Sequence, residues 1–110
     1  MHIIVPIKQV PQTSDVQMDK QTGTMIRSSS ASILNPLDLY AISTALGLKD
    51  RHQARVSVIT MGPQIAVKVL KEAIAMGCDD AVHLTDRAFG GSDTWATSYI
   101  LSLAVKKLGI

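Results

Sequence analysis

Residues 54–84 read ARVSVITMGPQIAVKVLKEAIAMGCDDAVHL, and this stretch decides the fold. Ala54 to Met61 carries Val56, Val58 and Ile59 in a short β-rich run, which predicts a strand. Gly62-Pro63 turns that strand directly into a helix. The helix has its apolar set at Ala66, Val69, Leu70, Ala73 and Ile74, the spacing of one helical face. Gly77 stands where a C′ glycine closes a helix. Ala81-Val82-His83-Leu84 then predicts a further strand. Strand, helix and strand in this order form a βαβ unit with parallel strands and a right-handed crossover.

Towards the N-terminus, His2-Ile3-Ile4-Val5-Pro6-Ile7-Lys8 predicts the first strand, read as buried. Pro6 has no N–H for a ladder, so the strand loosens near its C-terminal end. Residues 9–15 read as a polar loop. Val16 to Asp19 and Thr24 to Arg27 flank Lys20-Gln21-Thr22-Gly23, which predicts a small β-hairpin. Ser28 to Ser32 is a flexible connection. A helix then begins with Asn35 as N-cap, Pro36 at the first helical position and Asp38 in the first turn. Its apolar positions are Leu37, Ala41, Ala45 and Leu48, with Ile42 and Leu46 beside them. Lys49, Arg51 and His52 sit at its end, as the macrodipole prefers.

Towards the C-terminus, Thr85 to Gly91 is a loop and Ser92 or Asp93 caps a third helix. Ala96, Ile100, Leu103, Ala104 and Leu108 form its expected inner stripe, and Gly109 marks its end. The order strand, hairpin, helix, strand, helix, strand, helix predicts a Rossmann-like α/β domain. It has a parallel sheet with flanking helices, and three βα units plus a small hairpin. The chain stops at Leu108-Gly109-Ile110, where a doubly wound fold would enter its next strand. The expectation is a truncated piece of a larger α/β protein, residues 1–110 forming the N-terminal part of a single domain.

Composition narrows the function classes. The chain has 110 residues, a formal net charge of +2, 46% hydrophobic and 18% charged residues. That excludes disorder and leaves room for one domain. Acids and bases are interspersed, with no basic stripe for nucleic acid. The single Cys78 excludes a disulfide framework and argues against structural zinc. No run approaches the ~20 apolar residues of a membrane span, and Met1-His2 enters the first strand without a basic leader. The expectation is a cytoplasmic protein without membrane insertion.

In an open α/β sheet a ligand lies beyond the carboxyl ends of the strands. Pro6-Ile7-Lys8, Met61-Gly62-Pro63-Gln64 and Asp86 to Gly91 must meet at that edge, and Asn35-Pro36-Leu37-Asp38 returns to it. Backbone N–H groups at helix starts suit an anion or a purine edge. Each of these residues also has a plainer role. Asn35 and Asp38 cap a helix, Gly62 makes a turn, and Lys8 is a solvated charge. His83 is packed or hydrogen-bonded, and His2 and His52 are solvated. Trp95 and Tyr99 share a helix face as core or interface residues. No GxSxG, Walker lysine, HExxH or CxxC motif occurs. The GxGxxG of ordinary dinucleotide dehydrogenases is missing after the first strand, where Lys8-Gln9-Val10-Pro11 stands instead.

Val5 to Pro11, Asp19 to Thr24, Asn35 to Asp38, Ile59 to Pro63 and Ala73 to Asp80 together resemble the electron transfer flavoprotein beta subunit. The stretch Asp86 to Ser98 resembles the version found in anaerobic bacteria and archaea. The resemblance implies an electron-carrier subunit rather than an enzyme. It implies an alpha subunit as partner and an acyl-CoA or other flavin dehydrogenase as electron source. It implies AMP as a structural nucleotide, or an FAD whose AMP part fills the same pocket. Arg87 to Gly91, a cation with two glycines near the same edge, offers a contact for NAD in an electron-bifurcating complex, and its plainer reading is a solvated turn. By motif match, Pro6, Asn35, Pro36, Leu37, Asp38 and Met61 are its cofactor-binding residues. The family's phosphate-binding loop follows a fourth strand, so this chain alone is expected to bind nucleotide weakly or not at all. The alternative reading is a stand-alone adenine-nucleotide sensor of the universal-stress type. It needs a Gly-rich phosphate loop, which is not visible. An ATP-pyrophosphatase-type enzyme needs a Ser-Gly-Gly loop where Lys8-Gln9-Val10 stands.

Overall fold

The computed structural model describes residues 1–11 and 32–109. Three parallel strands form the sheet: β1 (His2–Pro6), β4 (Arg55–Met61) and β5 (Asp80–Leu84), in the order β1-β4-β5. Two short strands, β2 (Gln9–Pro11) and β3 (Ser32–Leu34), pair antiparallel beside it. The helices are α1 (Pro36–His52), α2 (Val67–Met76) and α3 (Thr94–Lys107). This is the expected α/β layout.

β4 is central, and Val56 to Thr60 are all buried. Alternate side chains point to opposite faces of a strand. Val5 and Ile7 on the β1 side and Val56 and Val58 on β4 join Ile42 and Ala45 of α1 and Val69, Leu70 and Ala73 of α2 in one core. Both helices therefore share one face of the sheet.

The α1 cap forms as its sequence dictates. The Asn35 side chain accepts from the Leu37 N–H at 3.3 Å, and Pro36 opens the helix. Its buried face is narrower than the expected stripe. Only Ile42 and Ala45 are fully buried, whereas Leu37 is exposed. The expected stripe holds at Val69, Leu70 and Ala73 of α2 and at Ala66 of the 3-10 turn (Gln64–Ala66) that precedes it, and Ile74 falls outside it. Gly77 closes α2 with φ of +124°.

At the amino ends of the strands, Lys49 of α1 donates to the Gly77 carbonyl at 2.9 Å and to Asp79 at 2.8 Å. Asp79 also accepts from the Val56 N–H at 2.7 Å. The Lys49 ammonium, followed by that N–H, holds the Asp79 carboxyl below its ordinary range. Beside it, Ser57 and Arg55 hold Asp80 low as well. Burial pushes the Cys78 thiol up, the mark of a packing residue.

Three expectations are corrected or fall elsewhere. Residues 9–11 and Ser32 belong to the β2–β3 ribbon rather than to a loop and a flexible link. Strands of three residues are too short to show an alternating pattern. The expected hairpin over residues 16–27 lies outside the described residues. On α3 no residue is buried. The sheet side of that helix is half-covered at Ala96, Thr97, Ile100, Leu101 and Ala104. Leu103, placed in the inner stripe, is instead exposed with Trp95 and Tyr99, Trp95 being 82% exposed.

Candidate functional site

The carboxyl ends of β1, β4 and β5 lie together, with Pro6 paired in register to Ile59 and Met61 to Leu84. Lys8 gathers the segments beyond them. Its carbonyl accepts from the Asn35 N–H at 2.8 Å, and its own N–H donates to the Asp38 carboxylate at 2.8 Å. Its ammonium reaches the Met61 carbonyl at 3.1 Å. The β1 exit, the α1 entry and the β4 exit are thus fastened to one residue.

A cleft of about 910 Å³ opens at this edge, within the ~300–1,000 Å³ range of small-molecule and cofactor sites. Pro6, Ile59 and Met61 supply apolar walls, Asp38 a carboxylate and Gln64 an amide. On the far side stand Arg87, Phe89 and the Gly90-Gly91 turn, with Thr97 and Leu101 from α3. The Asp86 side chain accepts from the Ala88 N–H at 2.9 Å, and Asp93 caps α3 by accepting from the Ala96 N–H at 2.8 Å. These two Asx contacts shape the loop on either side of the glycines.

Of the six expected binding residues, Pro6, Asp38 and Met61 line the cleft. Asn35, Pro36 and Leu37 do not: Asn35 is engaged in the α1 cap, and the Leu37 side chain is 71% exposed. Lys8, read both as part of this edge and as a solvated charge, is exposed and also ties the segments of the site together. Thr97 and Leu101 were missed because a helix-period pattern does not say which turn faces a cleft. Among the described residues no cluster of side chains could hold a metal ion, and no helix is long and apolar enough to cross a membrane.

Sequence comparison places this architecture. Residues 22–110 match the electron transfer flavoprotein domain. The chain belongs to the electron transfer flavoprotein domain family. Among its relatives it is 54% identical over 108 residues to the electron transfer flavoprotein subunit beta of Clostridium acetobutylicum, covering 98% of this chain and 42% of that one. It is 52% identical over 109 residues to subunit CarD of the caffeyl-CoA reductase-Etf complex of Acetobacterium woodii, covering 98% and 42%. It is 49% identical over 109 residues to protein FixA of Azorhizobium caulinodans, covering 99% and 39%. The chain spans about two-fifths of the length of these curated relatives.

The lining of the cleft in this electron transfer flavoprotein domain combines apolar, acidic and basic groups. Pro6 and Met61 offer apolar surface, and Asp38 a carboxylate. Arg87 is a cation across the cleft from them.

Proposed function

We propose that this chain is the N-terminal, nucleotide-holding part of a beta-type electron transfer flavoprotein subunit. Its cleft takes the AMP portion of a nucleotide, either AMP itself or FAD, beside an alpha-type subunit. The assembly passes electrons from a flavin dehydrogenase to an acceptor. When bound, a flavin supplies the redox chemistry. The residues of this chain bind, orient and exclude water. Pro6 and Met61 pack the base, and Asp38 orients the sugar side. Arg87 and the Gly90-Gly91 turn face the charged end, where NAD would approach in a bifurcating complex.

The observation that carries this reading is the convergence on Lys8. Three segments far apart in sequence are tied to one residue at the sheet edge where α/β proteins hold ligands. The membership in a flavoprotein family supplies the ligand class. The test is co-purification with the alpha-type subunit, followed by acid release and chromatography of the bound nucleotides. The expected result is a yellow complex that releases AMP with FAD, or FAD alone in excess of one per heterodimer. A colourless homodimer that releases ATP would overturn it in favour of a nucleotide sensor.

A further inference from the structure

Ile7 and Gly62 are the first residues beyond β1 and β4, and both line the cleft. Each is held in the same unusual way. The Ile7 N–H continues the ladder by donating to the Ile59 carbonyl at 2.9 Å, and the Gly62 N–H donates to the Leu84 carbonyl at 3.0 Å. Their carbonyls point to side chains rather than to backbone. The Thr60 hydroxyl donates to the Ile7 carbonyl at 2.7 Å, and His83 Nε2 lies 3.0 Å from the Gly62 carbonyl. A carbonyl only accepts, so Nε2 carries the proton and donates.

Thr60 and His83 are themselves register partners on β4 and β5. Registered neighbours point to the same face, here the face covered by α1 and α2, away from the cleft. Thr60 is 1% exposed. The two side chains thus form a polar pair behind the sheet, and each fixes the strand exit next to its own strand. With N–H and C=O both engaged, neither exit residue turns without losing two hydrogen bonds. In a buried setting a lost partner also leaves a polar group unsatisfied.

We propose that Thr60 and His83 are positioning residues for the cleft. They touch no ligand and hold its two strand-exit walls, Ile7-Lys8 and Gly62-Pro63, at a fixed separation. Lys8 then bridges the walls from the front by reaching the Met61 carbonyl. The chemistry explains both residue types. A hydroxyl suffices behind β1, where the Ile7 carbonyl lies close to Thr60. A longer ring is needed to reach from β5 round to the Gly62 carbonyl. The assignment of adenosine as the occupant rests on the proposed function above; the fixing of the walls does not.

The test uses the whole chain, labelled with ¹⁵N and ¹³C, in complex with the alpha-type subunit, and titrated with AMP by NMR. His83→Ala is expected to displace the Gly62 carbonyl ¹³C resonance and weaken AMP binding roughly three- to tenfold, the scale of one lost hydrogen bond. His83→Gln, which keeps an N–H donor at similar reach, is expected to restore both. Thr60→Val should act in the same way on Ile7, and Thr60→Ser should restore it. A folded His83→Ala variant with the Gly62 resonance and AMP affinity of the wild type would overturn the proposal. So would His83→Gln behaving no better than His83→Ala. If the wild type itself shows no response to AMP, the nucleotide assignment is refuted. The Gly62 and Ile7 resonances then still decide whether the walls are held from behind.

Discussion

The Lys8 N–H donates to the Asp38 carboxylate at 2.8 Å across 30 positions of sequence. One acidic side chain in the first turn of α1 thereby fixes where the chain leaves β1. The helix dipole favours an acid at that place, and the Asn35 side chain already caps the helix, so the Asp38 carboxylate serves the strand exit.

Replacing Asp38 by Ala is expected to lower stability by about 1 kcal/mol, the scale of an accessible hydrogen bond to a charged group, and to weaken AMP binding. Asp38→Asn, which keeps an acceptor, should lose less of both. Urea midpoints and AMP titration of the two variants check this.

Ile42 and Leu37 separate the buried face of α1 from its apolar pattern. Ile42 is fully buried, whereas Leu37 stands exposed near the rim. Ile42→Ala is expected to cost about 2–5 kcal/mol, and Leu37→Ala to stay within about 0.5 kcal/mol. Denaturant unfolding of both variants measures the contrast.

That contrast shows which parts of the molecule were legible in the residues. The βαβ unit was readable because its signals agree: the Gly62-Pro63 turn, the α2 stripe and Gly77 specify the same element boundaries. The Asn35-Pro36 helix start was readable from local capping chemistry. The sheet edge holding the cleft followed from topology. The α1 and α3 faces were less legible, because Leu37, Trp95 and Leu103 are apolar yet exposed. An apolar pattern records what can be buried, not what covers it. The Lys8 hub was hidden for another reason. Its contacts with Asn35, Asp38 and Met61 lie 27 to 53 positions away in sequence, and no local pattern reports them.

Gly77 has φ of +124°, and a Cβ there would lie 3.4 Å from Leu46 Cδ2. Gly77→Ala is expected to destabilise the fold by about 1–2 kcal/mol, the cost of a side chain in left-handed backbone. Thermal unfolding of this variant against the wild type gives the value.

Acid should weaken the amino-end cluster. The Lys49 ammonium and the Val56 N–H hold Asp79 below its ordinary value of 3.8. A carboxyl whose folded value is depressed contributes stability above its unfolded value. That contribution is lost as the pH falls through the folded value. Wild-type and Asp79→Asn urea midpoints should therefore differ near pH 6 and converge as the pH drops below 3.8. A difference that persists unchanged in acid would contradict the ionic assignment.

The claim on which the account depends is that adenosine binds in the cleft gathered by Lys8. Its most direct test is the map of amide resonances that move when AMP is added to the ¹⁵N-labelled chain in complex with the alpha-type subunit, carried to millimolar concentration. The account predicts saturable shifts at Ile7, Lys8, Asp38, Met61, Gly62 and Arg87 to Gly91, with Arg55, Asp79 and Asp80 at the other end of the sheet unmoved. Shifts confined to that opposite end, or no shift at any amide around Lys8, would contradict it.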